Sequence, residues 1–256
     1  MKKLKLFALT AVALMGASGV ANAETAMLAS DDFVGISFWL VSMALLASTA
    51  FFFIERASVP ANWRVSITVA GLVTGIAFIH YMYMRDVWIM TGESPTVYRY
   101  IDWLITVPLL MLEFYFVLAA VNKANSGIFW RLMIGTLVML IGGYLGEAGY
   151  INATLGFVIG MAGWFYILYE VFSGEAGKMA AKSGNKALVT AFGAMRMIVT
   201  VGWAIYPLGY VFGYLTGGVD ADSLNVIYNI ADLLNKTAFG LIIWAAAVQS
   251  GGRKAK

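Results

Sequence analysis

The sequence predicts an all-α membrane protein, a bundle of seven transmembrane helices, and three observations carry that reading. Apolar side chains make up 61% of the 256 residues and charged ones only 12%, too few polar groups to cover a soluble domain. Seven apolar segments are each long enough to cross a hydrocarbon core that takes roughly 20 helical residues. The cations gather in alternate connections between those segments.

The chain opens on Lys2, Lys3 and Lys5, runs apolar from Leu6 to Leu14 and reaches the small residues Ala21-Asn22-Ala23. That is the pattern of a cleaved signal peptide over residues 1–23; an uncleaved first helix is the alternative. Cleavage leaves residues 24–250 as one helical domain and 251–256 as a basic cytoplasmic tail. The spans are expected near residues 33–54, 63–84, 98–121, 128–145, 153–172, 188–215 and 224–248. Breakers and charges separate them: Glu55-Arg56 with Pro60, Arg85-Asp86 with Gly92 and Pro95, Lys123 to Gly127, Gly146 to Asn152, Ser173 to Lys186, and Gly217 to Asp222.

If the N-terminus lies outside, the cytoplasmic connections hold Arg56, Arg64, Lys123, Arg131, Lys178, Lys182 and Lys186, and the tail adds Arg253, Lys254 and Lys256. The external connections hold only Arg85, so the bias predicts an N-outside, C-inside topology. Glycines four apart (Gly71 and Gly75, Gly156 and Gly160, Gly209 and Gly213) are expected where helix backbones approach closely. Trp63, Trp88 and Trp130 are expected at the membrane interfaces.

Several function classes are excluded. Without cysteine there are no disulfides, thiolate metal sites or cysteine nucleophiles, and a single histidine rules out a polyhistidine centre, so no metal is expected. The formal charge of +3 is spread over the ends and connections with no basic face, which gives no reason to expect nucleic acid.

Ionisable residues inside spans are costly and mark function. The third span carries Arg99, Asp102, Thr106 and Glu113 at successive offsets of 3, 4 and 7, one stripe of a helix. Asp102 and Glu113 are 11 residues apart, about 16 Å along the axis, so they can sit on opposite sides of a mid-membrane cation. One carboxyl charged beside a cation and another kept neutral by apolar surroundings are what a one-way proton relay requires. The seventh span places Lys236 four residues after Asp232, on one face and too deep to reach either interface comfortably. An ion pair that locks helix packing is one reading of these two. The other is a desolvated amine that attacks an aldehyde and forms a Schiff base. His80 on the second span is placed to touch Asp102, and Arg99 lies one turn outward of it. Arg196 is expected to snorkel to the cytoplasmic interface.

Four separated stretches carry a family resemblance that runs the length of the chain. The run from Arg99 to Glu113, the run from Tyr228 to Lys236, Trp203-Ala-Ile-Tyr206-Pro207-Leu-Gly-Tyr210 and Ala77-Phe-Ile-His80-Tyr-Met-Tyr-Met-Arg85 all resemble the proteorhodopsins, bacterial members of the retinal-binding microbial rhodopsins. The resemblance implies a light-driven outward proton pump of the cytoplasmic membrane, a transporter and not an enzyme. It implies all-trans retinal on Lys236, Asp102 as primary counterion and proton acceptor, and Asp232 as second counterion. Glu113 matches the cytoplasmic donor, His80 the partner of the acceptor, and Arg99 belongs with the counterions. Trp103, Leu110, Met139, Gly143, Trp164, Trp203, Tyr206, Pro207 and Tyr210 match the retinal pocket.

Asp102, Thr106 and Glu113 separate the chain from related sodium pumps, which carry Asn, Asp and Gln there, and from chloride pumps, which lack the acceptor. Leu110 resembles the residue of green-absorbing members, where blue-absorbing ones carry Gln. A homo-oligomer in membrane lipid is implied as well. Ala57 follows Arg56 where relatives often have an acid, which puts a family-style subunit salt bridge in doubt. A photosensory receptor and a light-independent transporter are the rival readings; the first is disfavoured by the carboxyl at Glu113, and the second predicts no colour with retinal.

Overall fold

The computed structural model describes residues 27–121 and 124–251. The expected signal peptide, Lys123 and the tail cations lie outside the described residues. The helices are α1 (Phe33–Glu55), α2 (Arg64–Thr91), α3 (Thr96–Val121), α4 (Ser126–Glu147), α5 (Ala153–Phe172), α6 (Glu175–Lys182), α7 (Lys186–Met197), α8 (Ile205–Tyr210) and α9 (Ala221–Ser250). Among the described residues there is no strand. Seven spans are long and apolar enough to cross a membrane, and α7, α8 and the π-helical turns around them form the sixth, Lys186–Leu215.

Asp and Asn side chains begin five of these helices. Asp32, Asn125, Asn152, Asn185 and Asp220 each accept a bond of 2.8–3.0 Å from a first-turn backbone N–H, satisfying a donor that the helix itself leaves free. Consecutive helices pack side by side, and α9 returns against α1 and α7 to close the ring, with α3 touching both α7 and α9.

The expected glycine contacts are present. A Cβ on Gly156 would stand 2.6 Å from the Gly146 Cα, so α4 and α5 meet backbone to backbone. Gly71 and Gly75 admit Phe53 and Thr49 of α1, while Gly209 and Gly213 admit Tyr228 and Leu224 of α9. Large apolar side chains such as Leu40, Ile79, Ile134, Val158 and Leu241 point outward, whereas Arg99, Asp102, Glu113, Asn229, Asp232 and Lys236 are buried within. Such an outer surface is suited to hydrocarbon.

The sixth span is irregular for identifiable reasons. Pro207 has no N–H to return to the Trp203 carbonyl, and the helix breaks between Trp203 and α8. Just before it, Ile198–Gly202 widens into a π-turn, in which Trp203 N donates to Ile198 O at 2.9 Å. The loosened carbonyls are taken up by neighbours: Trp164 Nε1 donates to Val199 O at 2.9 Å, and Asn235 Nδ2 to Gly202 O at 3.2 Å.

Three sequence expectations need correction. Trp63 is fully buried in the main core and belongs to no interfacial belt, whereas Trp130 is exposed as expected. Arg85 and Asp86 lie inside α2, paired at 2.7 Å, and the helix ends only at Gly92, whose φ of 66° is left-handed. The connection expected from Ser173 to Lys186 contains α6, held by Glu170, which accepts from Ala176 N at 3.0 Å and from Arg131 Nε at 2.9 Å. Arg196 is half-buried, its guanidinium lies over the Phe192 ring and that of Phe172 at the last residue of α5, and its Nε is buried without a hydrogen-bond partner.

Candidate functional site: a buried lysine between two carboxylates

α9 carries Asp232 and Lys236 on its inner face, and α3 brings Asp102 opposite them. Lys236 Nζ donates to Asp102 Oδ2 at 2.8 Å and to Asp232 Oδ2 at 2.7 Å, and all three residues are buried. Two anions around one cation leave a net negative charge, so each carboxylate needs further donors. Asp232 has them: Tyr81 OH at 2.9 Å, Tyr206 OH at 2.6 Å and Trp103 Nε1 at 3.1 Å from its nearer oxygen. Asp102 has fewer. Its other oxygen faces His80 Nδ1 at 3.3 Å, and Thr106 bonds the backbone oxygen of Asp102, not its carboxylate.

Arg99 sits one turn before Asp102 but touches neither carboxylate. Its guanidinium donates to Tyr81 OH at 3.2 Å, Asn225 Oδ1 at 3.0 Å and Asn229 Oδ1 at 2.9 Å. Tyr81 thus stands between Arg99 and Asp232, accepting from one and donating to the other.

Glu113, three turns further along α3, has the opposite surroundings. It is completely buried, and neither carboxyl oxygen has a hydrogen-bond partner; the Ser66 hydroxyl of α2 is close by and is likewise unpaired.

A cavity of about 110 Å³ reaches Lys236 and Asp232. All nine pocket residues read from the sequence line it: Trp103, Leu110, Met139, Gly143, Trp164, Trp203, Tyr206, Pro207 and Tyr210. Trp103 and Tyr206 meet edge to face with ring centroids 5.1 Å apart, and Gly143 leaves room that a Cβ would deny, 2.8 Å from Tyr100 OH. A largely apolar chamber with an amine in its wall fits an apolar aldehyde, and retinal, the cofactor that the sequence resemblance implies, is such a molecule.

Sequence reasoning missed Tyr81, Tyr100, Phe157 and Asn235, and gave no role to Asn225 and Asn229. Phe157 and Asn235 line the cavity, and Tyr100 donates to Glu147 at 2.8 Å. A signal was available on α9. Asn225, Asn229, Asp232 and Lys236 follow at offsets of 4, 3 and 4, a single polar stripe whose amide half carries no charge to draw the eye.

Residues 32–250 match the family model described as bacteriorhodopsin-like protein. The chain is 57% identical to the green-light absorbing proteorhodopsin of Gamma-proteobacterium EBAC31A08, over 86% of this chain and 88% of the relative. It is 56% identical to the blue-light absorbing proteorhodopsin of Gamma-proteobacterium Hot 75m4, over the same shares. The crystal structure of the blue light-absorbing proteorhodopsin from Med12 superposes with a TM-score of 0.76 at 55% identity, covering 86% of this chain and all of that one. Seven helices around a buried lysine and its carboxylates, read together with these likenesses, make the chain a member of the bacteriorhodopsin-like family, on its proteorhodopsin branch.

Proposed function

We propose that the chain exports protons across the bacterial cytoplasmic membrane when light acts on retinal held by Lys236. The observation that carries this reading is the unequal pair of carboxylates at 2.8 and 2.7 Å from Lys236 Nζ, with a third, unpartnered carboxyl buried further along α3. When bound, retinal supplies a light-triggered change of shape and of the proton affinity of the nitrogen it shares with Lys236.

The residues divide the remaining work. Asp102 Oδ2 is in line to receive the proton from Lys236 Nζ. Asp232 is held as an anion by Tyr81, Tyr206 and Trp103 and serves as the standing counterion. His80 bonds Asp102 on its other oxygen and stabilises it through the transfer. Glu113, buried where an ionised carboxylate would have no partner, keeps its proton until the nitrogen needs one, returns it, and refills from the cytoplasm. The direction follows from the charge bias, with α1 starting outside and α9 ending in the cytoplasm.

Leu110 lies buried in the cavity wall and places an apolar group where an amide would favour bluer light, which supports the green-absorbing type. Leu110→Gln is expected to move the absorption maximum to shorter wavelength. A homo-oligomer in lipid belongs to the same reading. Arg56 Nε donates to Thr68 of its own chain at 2.6 Å, consistent with a subunit contact that does without the Arg56 ion pair.

The test is external pH during illumination of cells expressing the protein with all-trans retinal, repeated with a protonophore and with Lys236→Ala. Acidification that both treatments abolish upholds the pump. Colour without acidification would favour a sensor, and no colour would remove the reading altogether.

A further inference from the structure

Arg99 is a buried cation whose hydrogen-bonding partners are all uncharged. Its guanidinium is closed in by the Asn225 and Asn229 amide oxygens, the Tyr81 hydroxyl and the faces of Phe38, Tyr81 and Tyr228, the ring centroids 5.6–5.9 Å from Cζ. A buried guanidinium with carboxylates one helical turn away would ordinarily pair with one of them. What prevents this is how the two amides are anchored.

Asn229 Nδ2 donates to Ser37 Oγ at 2.8 Å, and Ser37 has already given its single hydroxyl proton to Val34 O at 2.7 Å. Ser37 can therefore only accept from Asn229, so the amide oxygen must face Arg99. Asn225 is turned the same way, because its Nδ2 donates to Ala221 O at 2.9 Å while its oxygen also accepts from Ser94 Oγ at 3.2 Å. Both acceptors are thus fixed in orientation by α1, by the start of α9 and by the α2–α3 connection.

We propose that Asn225 and Asn229 are positioning residues that hold Arg99 back from Asp102 and Asp232, and so set the pH at which Asp102 is protonated in the resting protein. The inference rests on the reading of Asp102 as acceptor in a retinal-bearing protein. Moving the guanidinium toward Asp102 stabilises the anion, so more acid is needed to protonate it. Neutralising the guanidinium with a new carboxylate does the reverse.

Other titratable groups surround this charge set. α2 contributes His80 on Asp102 and Tyr81 on Arg99. α4 contributes Glu147 through Tyr100, and the sixth span Tyr206 and Tyr214. α9 contributes Tyr228, Asp232 and Lys236. None of them bonds directly to Asn229, so a change at that residue reports on Arg99.

The experiment is a pH titration of the visible absorption of the purified, retinal-loaded protein. A wild-type pigment whose colour changes as Asp102 titrates upholds the reading of Asp102 as counterion of a retinal pigment, and failure to form pigment overturns that reading and this proposal together. With the wild-type midpoint in hand, Asn229→Leu should lower it and Asn229→Asp should raise it, each by about one pH unit. Asn225→Leu is expected to act in the same direction as Asn229→Leu and serves if the latter does not fold. In an Arg99→Gln background, Asn229→Leu should produce no further shift. Midpoints that stay at the wild-type value, that move the same way in both Asn229 variants, or that still move without Arg99 would overturn the proposal.

Discussion

The two carboxyls of α3 occupy opposite kinds of interior. Around Asp102 the bundle is a lattice of hydrogen bonds joining Lys236, Asp232, His80, Tyr81, Tyr206 and Trp103. Around Glu113 it is apolar, with one unpaired serine nearby. The difference teaches how a single helix can hold a charge at one level and a neutral acid at another. Donors preorganised around an anion stabilise it, while their absence makes the uncharged form the cheaper one to bury.

The comparison is broken most severely on the crowded side. Asp102→Asn is expected to abolish light-driven proton export and to shift the visible absorption. Export that persisted in that variant would mean another group accepts the proton. Removing Asp232 with Ala leaves Lys236 paired with Asp102 but strands the Tyr81, Tyr206 and Trp103 donors, and should cost roughly 1–3 kcal/mol of stability, the usual effect of leaving buried donors unsatisfied. Thermal denaturation of the purified protein in detergent would register it.

On the bare side the expected effect is kinetic. Glu113→Gln should slow recovery of the resting pigment after a flash by about 100-fold, with its colour nearly unchanged. Glu113→Leu should leave the melting temperature equal or higher, since no hydrogen bond is lost and a polar group leaves the interior. A fall matching that of Asp232→Ala would erase the contrast.

The smallest effect belongs to the rim. Asp220 caps α9, and the Ser223 backbone N–H and hydroxyl hold its carboxyl below the usual carboxylate range. Its contribution is therefore present at neutral pH, above the unfolded value, and is lost as pH falls through the lowered folded value. Asp220→Asn should flatten that acid limb slightly without altering transport.

The sequence was most legible where chemistry was most expensive. Lys236, Asp232, Asp102 and Glu113 stand out because ionisable groups in apolar spans demand a reason, and helical spacing alone brought two of them, Asp232 and Lys236, near one another. Amides and hydroxyls do not announce themselves in this way. Asn225, Asn229, Asn235 and Tyr81 are ordinary polar residues until the packing of α1, α2 and α9 gives them partners. Trp63 was misplaced because position along the chain gives depth in the membrane but not the direction a side chain faces. α6 escaped notice because the forces that hold it come from Glu170 and Arg131, on neighbouring helices.

The widened turn at Ile198–Gly202 also has a consequence for the length of the chain. A π-turn accommodates one residue more than the regular helix, and each residue advances the helix by about 100°. Deleting a single residue there would return that turn to regular α-helix, yet it would rotate one half of the span relative to the other by about that angle. Either Trp203, Tyr206 and Tyr210 would leave the cavity wall, or Phe192 and Met195 would leave the core. At this point the molecule has no freedom to be shortened, and the irregular turn is the joint that lets one span serve two differently oriented surfaces.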